Sequence, residues 1–221
     1  MFELCLKVWA NNAVVRCLWA ALGMSFLVVS TAQADAESFK LLHDKLQSTR
    51  SFQADFTQNV LDGQGVMMQT TEGKIAVKRP GLLYWQVYAP LEQLLVSDGV
   101  QLWSYDPDLE QVTVQAVNAN VSQMPAMLLS GEVEGLADSY EINSMQLAGD
   151  GWQFQLIPKQ PDSLFEQLKL TFSGDTLVQM HILDSLGQRS SLEFHNIKIN
   201  PQLDDKMFTF VPPEGVDIIS Q

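Results

Sequence analysis

Residues 78–85 join two predicted strands and read Lys78-Arg79-Pro80-Gly81-Leu82-Leu83-Tyr84-Trp85. The apolar run Ile75-Ala76-Val77 precedes this stretch, and Leu83 opens a second strand that continues to Val87. Proline disfavours the helical region for the residue before it, so Arg79 is predicted to be extended. Pro80-Gly81 then supplies a turn at little steric cost. The stretch therefore predicts a turn that carries a permanently charged, five-donor side chain between two apolar strands.

Alternation of apolar and polar residues on both sides of this turn predicts a sheet of half-buried strands. Turn signals such as Asp62-Gly63 and Asp98-Gly99 separate the early strands. Later strands are predicted at Trp152–Leu156, Leu168–Phe172, Val178–Ile182 and Leu192–Phe194, and in the tail Met207–Val211. The sequence thus indicates an α+β fold, mostly antiparallel β, with about ten meandering strands. Such a sheet must curl to bury its inner face, so a barrel or half-barrel is expected.

Two stretches are predicted to be helical. Asp35 can cap a helix over residues 36–50, in which Phe39, Leu42 and Leu46 fall on one face. Residues 122–131 form the second stretch, with Pro125 in its first turn and Gly131 at its end. Because this segment is apolar nearly all round, it should be buried on more than one side or cover a cavity.

Residues 1–34 are predicted to be a cleaved signal peptide. An apolar run of about a dozen residues, Cys17–Val29, is followed by the small residues of Ser30–Ala34, which fit an A-x-A cleavage site. The run is short for a membrane span, which needs about twenty residues, so cleavage is favoured over a membrane anchor. Both cysteines of the chain precede the cut. Residues 35–221 are therefore expected to form one exported domain without a disulfide or an acyl anchor.

The composition and motifs give no indication of catalysis. The formal net charge of −13 repels nucleic acid and anionic membranes, although ordinary solubility explains it equally well. The three histidines lie far apart, and neither a serine-nucleophile motif nor a phosphate-binding loop occurs. Asp106, Asp108 and Glu110 alternate like a calcium loop but lack its later residues, so turn chemistry is favoured over metal binding. We expect no enzyme activity, no metal, no cofactor and no nucleic-acid partner.

A series of motifs runs along nearly the whole of residues 35–221. They are Ser51–Gln58, Val77–Pro80 with Trp85, Leu95–Gly99 with Leu102-Trp103, Tyr105–Pro107 with Glu110-Gln111, Pro125–Leu129, Gln188–Ser191, and Phe208–Phe210 with Pro212–Gly215. In these motifs and in their order, the chain resembles the periplasmic outer-membrane lipoprotein carrier family, the LolA family. One departure is Ala76, where the family often has tryptophan.

The resemblance implies an open, half-closed β-barrel of about ten or eleven strands, covered by a lid of short α-helices that encloses an apolar cavity. It implies a periplasmic chaperone that takes triacylated lipoproteins from an inner-membrane ABC-type exporter and passes them to an outer-membrane receptor. We expect it to be a monomer. The arginine that matches Arg79 is the one with which the family holds the lid closed, through hydrogen bonds to lid-helix carbonyls.

Six residues are candidates for the site. Arg79 is the predicted lid latch, and an exposed arginine at a strand end is the plainer interpretation. Candidate cavity or lid residues are Leu83, Trp85, Leu95, Met127 and Leu128. A register error of one residue exchanges the two faces of a strand, so the sequence does not decide which residues point inward.

Three other functions remain open. The outer-membrane receptor of the same fold needs a cysteine at the cleavage point, where this chain has Ala34-Asp35. An envelope lipid-binding module without transfer activity would share the apolar residues. A secreted hydrolase of unfamiliar type would need clustered titratable groups.

Overall fold

The computed structural model describes residues 30–117, 125–130, 135–161 and 163–220. These residues form one sheet of twelve strands. The strands are β1 (Ser51–Leu61), β2 (Met67–Lys78), β3 (Leu82–Val87), β4 (Gln93–Asp98), β5 (Gln101–Asp106), β6 (Gln111–Ala116), β7 (Tyr140–Gln146), β8 (Gly151–Pro158), β9 (Phe165–Ser173), β10 (Thr176–Asp184), β11 (Arg189–Ile199) and β12 (Asp217–Ser220). Their order across the sheet is β12-β6-β5-β4-β3-β2-β1-β11-β10-β9-β8-β7. Every described pair of neighbours is antiparallel except β12 and β6, which are parallel.

The sheet is open and strongly curled. Asp106 at the end of β5 and Met180 on β10 line the same recess, although five strands separate β5 from β10. In a flat sheet these two strands would lie about 29 Å apart, given a strand spacing of about 4.8 Å. The predicted mostly antiparallel, open sheet is therefore confirmed, with twelve strands where ten or eleven were expected and with β12 and β7 as its two edges.

Two strands were not predicted from the sequence, and one predicted strand is wrong. The edge strand β7 is half polar, and all four residues of β12 are exposed, so neither carries a strong apolar alternation. The tail Met207–Val211 is not a strand. Its start belongs to a 3₁₀ turn (Asp205–Phe208), which is capped by the side chain of Asp204 accepting a hydrogen bond from the Lys206 amide. Local capping chemistry therefore prevails there over alternation.

In the described part of the chain, the α-helices beside the sheet are α1 (Ser30–Gln47), α2 (Pro125–Ser130) and α3 (Leu136–Ser139). The predicted helix over 36–50 exists but begins earlier, so Asp35 lies inside α1 and does not cap it. The Asp35 carboxylate instead accepts a hydrogen bond of 2.8 Å from the amide of Ile142 on β7. Edge strands have backbone groups without a ladder partner, and this contact satisfies one of them. Of the second predicted helix, 125–130 is helical, while 122–124 and Gly131 lie outside the described residues.

The inner face of the sheet is defined by its register. Phe56 on β1 lies opposite Gly73 on β2, and the next inward position of β2, Ile75, lies opposite Trp85 on β3. The rings of Phe56 and Trp85 are 4.4 Å apart between centroids. A Cβ on Gly73 would lie 2.1 Å from the carbonyl oxygen of Gln86 and 2.5 Å from the Phe56 ring. Glycine is required at position 73 because the ring of Phe56 occupies the space above it.

The outer face carries a smaller apolar layer formed with the tail. Phe210 packs against Trp103 and Tyr105, with ring centroids 6.4 and 6.0 Å apart. Ala76 belongs to this face, since it pairs with Tyr84 and follows the inward-facing Ile75. The departure of Ala76 from the family pattern therefore does not alter the inner wall of the sheet.

Candidate functional site

The turn between β2 and β3 contacts the ends of two helices. The amide of Arg79 donates to the carbonyl of Arg50 (2.9 Å), and its Nε donates to the carbonyl of Thr49 (3.2 Å), two residues beyond α1. The amide of Gly81 donates to the carbonyl of Ser130, the last residue of α2, at 2.6 Å. Carbonyls at helix C-termini lack intrahelical partners, so this turn satisfies groups that would otherwise need water.

Gly81 makes this turn possible. Its φ is +75°, and a Cβ there would lie 2.9 Å from the Cα of Gly99 in the turn between β4 and β5. The side chain of Ser97 donates to the carbonyl of Gly81 at 2.8 Å. Only glycine combines a positive φ with this close approach of two turns. We call this end of the sheet, with the turns at 79–81, 99–100 and 174–175, the arginine end.

Among the described residues, the side chains around Arg79 are closely packed. Arg79 is half-buried and lines a cleft of about 20 Å³, which is large enough for a single water molecule. The other residues of this cleft are Leu46, Thr49, Phe52, Leu129, Phe172, Leu177 and Ile199. Leu83 is fully buried, and Met127 on α2 is buried in the core. Of the candidates, Leu83 and Met127 thus lie in the packed core, while the side chain of Leu128 lies outside the described residues.

A buried lysine fixes α1 at this end. Lys45 is 8% exposed, and its Nζ lies 2.6 Å from the carbonyl oxygen of Gly174 and 3.0 Å from Oδ1 of Asp175. The same ammonium lies 5.8 Å from the ring centroid of Phe172. Sequence reasoning missed this contact because helix and turn are 129 residues apart, and no local pattern links them.

A recess of about 430 Å³ occupies the opposite end of the inner face. We call this end, with the turns at 62–66, 88–92, 107–110 and 185–188, the open end. Trp85 and Leu95, two of the candidates, line the recess. The rest of its apolar wall is Val87, Leu91, Met180, Ile182 and Leu192, and its polar residues are Gln58, Gln69, Thr71, Glu92, Gln93, Asp106 and Asp108. The sequence did not identify Met180, Ile182 and Leu192 on β10 and β11 as recess residues. Alternation shows that a strand has two faces but not which of them points inward.

The titratable groups of the described residues do not assemble a catalytic cluster around the recess. Oδ1 of Asp106 accepts hydrogen bonds from the amides of Asp108 and Leu109, which is the predicted turn chemistry. The pKa of His181 is lowered by burial and by Lys169, partly offset by Glu193. His181 pairs with Lys169 on the outer face, whereas its neighbours Met180 and Ile182 line the recess. Within the described ranges, no group of three His, Cys, Asp or Glu side chains is placed to hold a metal ion.

None of the helices in the described part of the chain combines the length and apolar character needed to cross a membrane.

Comparison with known proteins gives the family directly. The family described as "Outer membrane lipoprotein carrier protein LolA" matches residues 47–211. A protein of Chromohalobacter salexigens named outer-membrane lipoprotein carrier protein is 43% identical over 204 residues, which cover 92% of this chain and 97% of that protein. A protein of the same name from Pseudomonas aeruginosa is 41% identical over 210 residues, covering 94% and 99%.

A solved structure shares the fold. An uncharacterized conserved protein from Thermus thermophilus has a TM-score of 0.50 at 12% identity, over 84% of this chain and 99% of that one. With a match over most of its length and relatives above 40% identity, the chain belongs to the LolA family of outer-membrane lipoprotein carrier proteins.

Proposed function

We propose that this protein is a periplasmic carrier that shields the acyl chains of triacylated outer-membrane lipoproteins while they cross between two membranes. It receives them from an inner-membrane ABC-type exporter and delivers them to an outer-membrane receptor, working as a monomer without catalysis or cofactor. The observation that carries the proposal is a recess on the inner face of a LolA-family sheet, half of whose lining residues are apolar. Relatives with the name of lipoprotein carrier over nearly their full length support the same cargo.

In the proposed function, the signal peptide directs export of the protein to the periplasm. We propose that residues 1–34 are removed, which places the new N-terminus at Asp35. Asp35 lies on α1, and its side chain holds the edge strand β7 through Ile142. The contact that fixes α1 to β7 is therefore retained after the cut.

The energetics of acyl chains require two states of the carrier. Each CH₂ group exposed to water costs about 0.8 kcal/mol, so free diffusion of a lipoprotein is prohibitive. Full burial of three chains in a permanent cavity would, by the same measure, bind them too tightly for release. A closed state that competes with the cargo lowers this affinity to a workable value.

The arginine end supplies the competing state. In the proposed mechanism, α1 and α2 form the lid, and the filled end in which Met127 and Leu129 pack is the closed form. Movement of α2 away from Gly81 would join the recess to the space these side chains occupy. Arg79 stabilises the closed form because its guanidinium donates to a carbonyl at the end of α1, and a half-buried guanidinium that loses a partner is less favourable.

The test is the Arg79→Leu variant, assayed for loading and transfer separately. Loading from exporter-containing proteoliposomes should be retained, and transfer to the receptor should fall by about tenfold or more, the equivalent of one charge-assisted hydrogen bond. Arg189→Leu, at the open end, is the matched control and should behave like wild type. Transfer by Arg79→Leu at the wild-type rate would refute the latch.

Mass spectrometry of the protein purified from the periplasm separates the carrier from its rivals. Acylated lipoprotein that co-purifies and is transferred supports the carrier. Bound lipid without transfer in any direction would indicate an envelope lipid-binding module.

A further inference from the structure

Gln58 and Thr71, two of the polar residues that line the recess, occupy inward positions on neighbouring strands. On β1 the inward positions read Phe52, Ala54, Phe56 and then Gln58. Gln58 lies directly opposite Thr71 of β2 and, on its other side, opposite Leu192 of β11. A sequence that breaks its own apolar pattern on an inner face is commonly found at a functional site.

Thr71 is the more unusual of the two. It is 5% exposed and lines the recess, yet its Oγ1 has no hydrogen-bond partner among the described residues. Buried hydroxyl groups are nearly always hydrogen-bonded, because an unsatisfied one has lost its water without compensation. A rotation of one staggered step about its Cα–Cβ bond moves this hydroxyl to another side of the residue. A ligand in the recess could therefore accept a hydrogen bond from this hydroxyl once such a rotation turns it towards the recess.

The remaining polar groups of the recess restrict the chemistry of that ligand. The carboxamide of Gln58 offers two N–H donors beside the hydroxyl of Thr71, and Gln69 continues the same face of β2 towards the mouth. The side chains of Glu92, Asp106 and Asp108 also line the recess, and carboxylates accept hydrogen bonds without donating them. Their charge repels a phosphate or a free carboxylate. The recess therefore suits a neutral acceptor with apolar substituents.

We propose that Thr71 and Gln58 form a polar subsite that binds the carbonyl group linking an acyl chain to its head group, while Trp85, Leu95 and Met180 contact the chain itself. This inference rests on the proposed carrier function and adds a selectivity to it. Neutral, ester-linked or amide-linked acyl groups are preferred over free fatty acids and anionic phospholipids. The subsite lies at the open end and is separate from Arg79.

Two matched probes test the subsite, namely a short-chain diacylglycerol with two ester carbonyls and the dialkylglycerol ether of equal chain length. Each is titrated against a fluorescent apolar dye bound to the protein. Thr71→Val keeps the shape of the side chain but removes the hydroxyl. This variant should bind the ester probe about fivefold to tenfold more weakly than wild type and bind the ether probe with unchanged affinity. Its melting temperature should be equal to or above that of wild type, because it removes an unsatisfied buried hydroxyl.

Two further variants serve as controls. Thr70→Val removes a hydroxyl on the outer face, where Oγ1 of Thr70 donates to Asn59 at 2.8 Å, and should change neither affinity. Thr71→Ser restores the hydroxyl and should restore binding of the ester probe. Equal weakening of both probes by Thr71→Val, or no weakening of either, would overturn the subsite. Wild-type protein that binds neither probe would overturn the carrier function itself, so the two failures are distinguishable.

Discussion

The two ends of the sheet's inner face differ in how their space is filled. At the arginine end, helices α1 and α2, Arg79 and the core side chains leave a cleft of about 20 Å³. At the open end the same sheet surrounds a recess of about 430 Å³. Many of the exposed large apolar side chains also belong to the open end, namely Val66, Met67, Met68, Tyr88, Leu91, Leu109, Leu164 and Leu186.

This difference follows from what covers each end. The strands are continuous from one end to the other, so the sheet alone would leave both ends equally hollow. At the arginine end the helices are attached to two turns, α1 through Lys45 and Arg79 and α2 through Gly81. The close packing of this end therefore contributes to stability, and the recess at the open end provides space for a ligand.

The largest expected effect separates the two ends by stability. Leu83 is fully buried at the arginine end, so Leu83→Ala should lower the free energy of unfolding by about 2–5 kcal/mol. Leu91 is 47% exposed at the mouth of the recess, and Leu91→Ala should cost about 0.5 kcal/mol or less. Urea titration followed by tryptophan fluorescence measures the free energy of unfolding of both variants. Equal losses would show that the open end is packed like the arginine end.

A medium effect tests the boundary between the ends. Gly73→Ala places a methyl group against the Gln86 carbonyl and the ring of Phe56, which supports Trp85 in the recess wall. We expect a loss of about 1–3 kcal/mol from overpacking, with weaker ligand binding as the aromatic pair shifts. Gly63→Ala is the matched control, because its Cβ would meet nothing nearer than 3.7 Å. A Gly73→Ala protein as stable as this control would contradict the close packing of Phe56 on the glycine.

The smallest effect concerns Tyr140, a buried residue at the open end whose hydroxyl has no partner among the described residues. Burial raises the pKa of Tyr140 to about 12. The folded state holds the Tyr140 proton more tightly than the unfolded state does. The stability that this proton contributes is therefore complete below about pH 10 and is lost as the pH rises through 12.

Tyr140→Phe should therefore gain about 1 kcal/mol at neutral pH and lose less stability than wild type between pH 10 and 12. Thermal melts across this range measure the difference. Tyr105→Phe is the control. Because it retains Tyr140, it should show the same Tyr140-linked loss of stability between pH 10 and 12 as wild type. If Tyr140→Phe is less stable than wild type at neutral pH, the hydroxyl has a partner after all.

Local sequence patterns were enough to predict the class of the fold, its turns and its family. Alternation placed Phe52, Ala54 and Phe56 on one buried face, and Asp98-Gly99 marked a hairpin turn in which the Asp98 carboxylate accepts the amides of Val100 and Gln101. These features depend on neighbours within a few residues, so local chemistry suffices to predict them. The LolA family was equally readable from the order of its motifs.

Which residues share a site depends on how distant strands and helices pack together. Met180 and Leu192 meet Trp85 because the curled sheet brings distant strands together, and Lys45 reaches Gly174 across 129 residues. Trp85 and Leu95 line the recess, whereas Leu83 is packed in the core and does not line it. Hydrophobic pattern has the same period on both faces and at both ends of a strand, so it cannot distinguish filled from empty space. Contacts between distant strands and helices make that distinction.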